Sequence, residues 1–116
     1  MQDTILLSGT IGSGGTISGE LTSVYNTAEK LGMRDIIGIK MPAAFTGTSI
    51  GMVASYDGTA FGVLTDTAGS AVNIKAAASS AIPITNTLYS GIQSVKVFSG
   101  SAQGQDTIIN VIARRP

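Results

Sequence analysis

From Arg34 onward the chain repeats one pattern: short runs of alternating apolar and polar residues, broken by glycine, proline, serine or aspartate. A period of two places every second side chain on one face of an extended strand and suits no helix. In DIIGIKM (35–41), Ile37, Ile39 and Met41 share a face, and Pro42 then ends the ladder. SIGMVASY (49–56) alternates Ile50, Met52, Ala54 and Tyr56, AFGVL (60–64) offers Phe61 and Val63, and AVNIKA (71–76) offers Val72 and Ile74. SAIPITNTLY (80–89) carries Ile82 and Ile84, with Pro83 marking an edge or irregular strand. IQSVKVFS (92–99) sets Val95 and Val97 against Lys96 and Phe98. DTIINVIARR (106–115) sets Ile108, Asn110 and Ile112 against Ile109, Val111 and Ala113.

About seven or eight such strands with short turns predict an all-β fold, an antiparallel β-sandwich of jelly-roll-like type. The expected core is Ile37, Ile39, Ile50, Met52, Phe61, Val63, Val72, Ile74, Val95, Val97, Ile108 and Ile112. One helical turn is expected in NTAEKLGM (26–33), capped by Asn26 or Thr27 and ended by Gly32.

The first 25 residues read differently. They are rich in Gly, Ser and Thr, too Gly-rich for a helix and too poor in large side chains for a central strand. Ile5, Leu6, Leu7, Ile11 and Ile17 are nevertheless not the residues of a flexible linker. The expectation is an extended N-terminal arm over 1–25 followed by a β-sandwich domain over 26–116. The arm would reach on the order of 80 Å when drawn out, enough to touch a neighbouring subunit or another surface through those five apolar residues. An ordinary first strand followed by a glycine loop is the alternative.

Composition limits the chemistry. The chain has 116 residues, with 43% hydrophobic and 12% charged, seven Lys plus Arg against seven Asp plus Glu. Zero net charge with no basic cluster points to neither nucleic acid nor an anionic membrane as partner. It also keeps a lone monomer poorly dispersed, which suggests a surface covered by self-association or by another protein. No run is long enough for a signal peptide core or a membrane span.

With no His and no Cys, serine triads, thiol nucleophiles and His- or Cys-ligated zinc are excluded. A carboxylate pair remains, but the acids lie beside turn residues or near the N-terminus. GTIGSGGT (9–16) aligns Gly9, Gly14 and Thr16 with a phosphate-binding loop, yet Gly15 occupies the position of the essential Lys. Asp57-Gly58 lacks the further acids of a calcium loop and reads as a two-residue type I′ hairpin turn; Asp66 reads as another turn. A carbohydrate-binding sandwich would want exposed aromatic platforms, and the chain has no Trp, three Tyr and three Phe. No catalytic residue, metal site or cofactor is expected.

Two blocks carry a resemblance. Met41-Pro42-Ala43-Ala44-Phe45, Ser55, Asp57-Gly58, Phe61 and Asp66 form the first, and Lys96, Ser99-Gly100, Gln105 and Arg114 the second. Together they resemble small proteins of tailed bacteriophages encoded near the major capsid protein, the capsid decoration or cement proteins. The resemblance implies a structural virion protein made in the host cytoplasm, often a homotrimer, that binds the major capsid protein on the shell surface where capsomers meet. A tail, neck or fibre-base protein of the same particle is the alternative.

Overall fold

The computed structural model describes residues 4–26, 28–65, 67–84 and 92–114. Nine strands are formed: β1 (Thr4–Ile11), β2 (Thr22–Ser23), β3 (Asp35–Lys40), β4 (Ser49–Ser55), β5 (Gly62–Val63), β6 (Ile74–Lys75), β7 (Ala81–Pro83), β8 (Ser94–Ser99) and β9 (Thr107–Arg114). They make two antiparallel sheets. The first has the order β2-β1-β9-β3-β7. In the second, β4 is central, with β8 along one side and the short β5 and β6 along the other. The fold is therefore all-β and sandwich-like, and among the described residues there is no helix. The last part of the expected 80–89 strand, from Thr85 on, lies outside the described residues, as do Thr27, Asp66 and Arg115.

The sheets bury their facing sides on each other. Leu7, Ile11, Ile39, Ile109 and Val111 come from the first sheet, and Ile50, Met52, Ala54, Val95 and Val97 from the second. Leu21, Leu31, Met41, Phe45 and Ile92 close the ends from the connecting segments. Each such side chain contributes roughly 1.5–3 kcal/mol by leaving water.

From Thr4 on, the N-terminal segment is part of the first sheet rather than a free arm. β1 pairs with β9 along all eight of its residues, from Thr4 opposite Arg114 to Ile11 opposite Thr107, and β2 lies on its other side. Leu7 and Ile11 are fully buried. The glycine-rich residues that follow run along the outer edge of β8. Ser18 N–H donates to Val97 O at 2.8 Å, Leu21 N–H to Val95 O at 2.9 Å, and Ser99 N–H to Thr16 O at 2.7 Å. The segment expected to cross to a neighbour thus covers its own sheet edge. Backbone donors need partners whatever the side chains are, and low side-chain bulk is no obstacle to supplying them. At Gly9 it is a requirement: a Cβ there would stand 2.7 Å from Leu21 Cδ1.

Half of the expected core is displaced, and two physical reasons account for Ile37, Ile108 and Ile112. The pairing of β3 with β9 shifts register between Ile36 and Gly38, so a bulge turns Ile36 inward alongside Ile39 and leaves Ile37 only half-buried. In β9 both faces are apolar, and the buried one is Thr107, Ile109, Val111 and Ala113; Ile108 is 52% exposed and Ile112 half-buried on the outside. Val63, on the two-residue edge strand β5, is 53% exposed, and Phe61 and Val72 are half-buried. Ile39, Ile50, Met52, Ile74, Val95 and Val97 are buried as expected.

Asn26 begins a turn, and among the described residues of 26–33 no helix forms. Asn26 Oδ1 accepts Ala28 N–H at 3.1 Å, and Asn26 O accepts Glu29 N–H at 2.9 Å. The chain then reverses at Gly32-Met33, both at positive φ (60° and 64°), with Arg34 N–H donating to Leu31 O.

Since β1 is interior to its sheet, deleting residues 4–11 should remove the folded state altogether. The loss of Leu7, Ile11 and two ladders exceeds the roughly 5–15 kcal/mol by which domains are stable. Circular dichroism and thermal melting of the truncated chain check this; a cooperative melt near that of the intact protein would contradict it.

Candidate interaction surfaces

The Asp57-Gly58 segment lies in the six-residue connection between β4 and β5, whose register pairs Val53 with Val63 and Ala54 with Gly62. It is a hairpin loop, but not the expected type I′ turn. Gly58 has φ 85°, while Asp57 is not among the residues at positive φ. The side chain closes the loop instead. Asp57 Oδ1 accepts Thr59 N–H at 2.8 Å, Ala60 N–H at 2.9 Å and the Ser55 hydroxyl at 2.9 Å, and Ser55 Oγ in turn accepts Gly58 N–H. This is the Asx arrangement, in which a carboxylate mimics a backbone carbonyl. The same contacts, the Thr59 and Ala60 amides first and then Ser55, hold the carboxyl below its usual range.

The glycine loop at 12–16 is similarly occupied by its own chain. Ser13 N–H donates to Asp106 Oδ1 at 2.9 Å and Gly14 N–H to Gln103 O at 2.7 Å. A carboxylate where a phosphate would sit repels an anion. Among the described residues no group of three His, Cys, Asp or Glu could hold a metal ion.

Beside this loop lies Gln103, 1% exposed. Its Oε1 accepts Thr46 N–H at 2.8 Å and the Thr107 hydroxyl at 3.2 Å. Its Nε2 donates to Thr46 O at 2.7 Å, Ser101 O at 3.0 Å and Ser99 Oγ at 3.1 Å. Gln105, the glutamine expected from the phage pattern, is exposed. The polar centre of this end of the sandwich is two residues earlier.

What is left for contact with other molecules is on the outer faces. The outside of the first sheet is ordered in cross-strand rows by its register. Leu6, Ile112, Gly38 and Pro83 form one row, with Ser8, Asn110, Lys40 and Ala81 on one side of it and Thr4, Arg114 and Asp35 on the other. Because Gly38 has no side chain, the row opens into an apolar groove of about 570 Å3 between Ile112 and Pro83. Tyr25, 90% exposed, borders a second hollow that shares Leu6 and Ile112. On the outside of the second sheet, Phe98 covers Gly51 so closely that a Cβ there would stand 2.4 Å from the ring. Lys96 Nζ lies 4.6 Å from the centre of the Phe61 ring, a cation–π contact.

Of the five apolar residues proposed as an interface, Leu7 and Ile11 are core and Ile5 packs against the core. Leu6 faces outward on the first sheet. Ile17, 48% exposed, lies beside Phe98 at the edge of the second. They do not form one patch. The sequence pattern places Ile112 in the core and so hides the groove; the signal it carries is a strand apolar on both faces.

No protein-family model matches the sequence, and neither a curated protein nor a solved structure matches it.

Asp57→Asn keeps an acceptor oxygen and should lower the melting temperature less than Asp57→Ala, which removes it. Because the folded carboxyl titrates below its unfolded value, its stabilising effect is present above about pH 4 and is lost as pH falls through the lower folded value. Melting scans from neutral to acid pH should therefore show Asp57→Asn converging on wild type at the acid end. A constant difference would contradict this account of the loop.

Proposed function

We propose that this chain is a structural virion protein, a decoration protein that binds the outside of a phage capsid and stabilises the shell by bridging capsomers. The major capsid protein is its partner and the capsid surface its location. One observation carries the reading: the residues that resemble phage head proteins are largely framework residues of this fold. Met41 and Phe45 are buried, Ser55 and Asp57-Gly58 close the β4–β5 loop, and Ser99 is buried against Gln103. Shared framework residues support a shared scaffold, and leave binding to the exposed faces.

Those faces suit a clamp. They carry few charges, and their apolar residues stand on paired strands, so little ordering cost is paid on docking. A protein that binds only the assembled shell shifts assembly toward it by mass action, and symmetry multiplies weak contacts into high avidity.

Shells assembled from the major capsid protein of the phage or prophage that encodes this chain should carry the protein into the pellet on sedimentation and melt at a higher temperature with it bound. A protein that stays in the supernatant with shells, or that pellets only with tail tubes, would overturn the decoration role, the second result in favour of the tail or neck.

A further inference from the structure

We infer that the outer face of the β2-β1-β9-β3-β7 sheet is a self-association surface, on which a second copy of this chain packs face to face about a two-fold axis running along the strands between β9 and β3. The inference does not rest on the capsid reading. It follows from the order of residues across the face.

Such an axis lays β9 of one copy over β3 of the other, and β1 over β7. Each of the three rows shared by β9 and β3 then meets its complement. Ile112 comes opposite the second copy's Gly38, so an outward apolar side chain of β9 fills the slot left by the missing one. Leu6 comes opposite Pro83 in the same apolar row. One row away, Arg114 comes opposite the second copy's Asp35, and Asp35 opposite its Arg114. Within one chain these two residues are cross-strand neighbours, yet the ion pairs among the described residues are Glu20–Lys30 and Glu29–Arg34. On the other side, Asn110 comes opposite Lys40, an amide oxygen toward an ammonium. An isologous interface requires this kind of self-complementarity, each patch serving as both halves of the contact.

Four strands about 4.8 Å apart, rising about 3.4 Å per residue, present roughly 400 Å2 per copy, since they are eight, eight, six and three residues long. Pairing two faces buries on the order of 800 Å2, the size of a weak or transient contact, so the dimer should be concentration-dependent rather than permanent. Aligned sheets packed at about 10 Å are an ordinary β-sandwich arrangement.

Sedimentation equilibrium of the intact chain, without shells or any other component, tests this. The mass should rise reversibly with concentration from 11.7 kDa to twice that value and no further. Gly38→Val fills the slot. A Cβ at Gly38 meets nothing closer than 3.6 Å, and valine suits a strand, so the monomer should stay folded while association weakens by at least about tenfold. Asp35→Arg should weaken association similarly by facing the second copy's Arg114, and combining it with Arg114→Asp should restore it. A monomer at every concentration, a trimer, or a dimer unaffected by both Gly38→Val and Asp35→Arg would overturn the inference. Shell binding is read separately, so either proposal can fail while the other stands.

Discussion

The side-chain amide of Gln103 holds together the end of the molecule where the two sheets would otherwise part. Four pieces of chain converge there. The backbone of Gln103 exchanges hydrogen bonds with Gly14 and Gly15, its side chain brackets Thr46 on both N–H and C=O, and it ties the turn at Ser99 and Ser101 to the start of β9 at Thr107. Thr46 follows the Met41–Phe45 segment, and Ser99 ends β8, so strands of both sheets are fixed through one buried group. An amide carries two N–H donors and a carbonyl acceptor on one uncharged planar head. A carboxylate could not supply the donors, and an aliphatic chain would strand several buried polar atoms at about 1–3 kcal/mol each.

The second constraint is the management of strand edges in a chain with few charges. Natural sheets commonly protect edges with lysines or prolines. Here β7 carries Pro83, β2 is two residues long, and the outer edge of β8 is covered by residues 16–21. The glycine-rich stretch is therefore a structural cover whose composition suits close backbone approach. The exposed Ile108 and the half-buried Leu6 and Ile112 are left on a face rather than an edge, where packing, not strand addition, is the available contact.

Much of this was legible in the sequence where period two and turn chemistry agree. The seven predicted strands beyond Arg34 correspond to β3 through β9 over the described residues, and Asp57-Gly58 is indeed where the chain reverses. The failures share a cause: local pattern does not report the partner. β1 was misread because an apolar–small alternation, Leu7, Gly9, Ile11, looks weak until β9 and Leu21 are placed against it. The faces of β9 were exchanged because both are apolar, and the bulge at Ile36–Gly38 reset the period in β3. The hub at Gln103 had no signal at all, since a glutamine among Ser, Gly and Ala residues reads as exposed loop. The outer-face groove is hidden for the same reason: a pattern that puts Ile112 inside gives Gly38 no significance.

Replacing the Gln103 amide with an apolar side chain of similar length tests the central claim most directly. Urea unfolding of Gln103→Met should show stability reduced by about 3 kcal/mol or more, with an unchanged denaturant slope. Hydrogen exchange should at the same time speed selectively at the amides of Thr46 and Gly14. A variant within about 0.5 kcal/mol of wild type, with both amides still protected, would show that the sandwich ends are held by packing alone and would contradict the account.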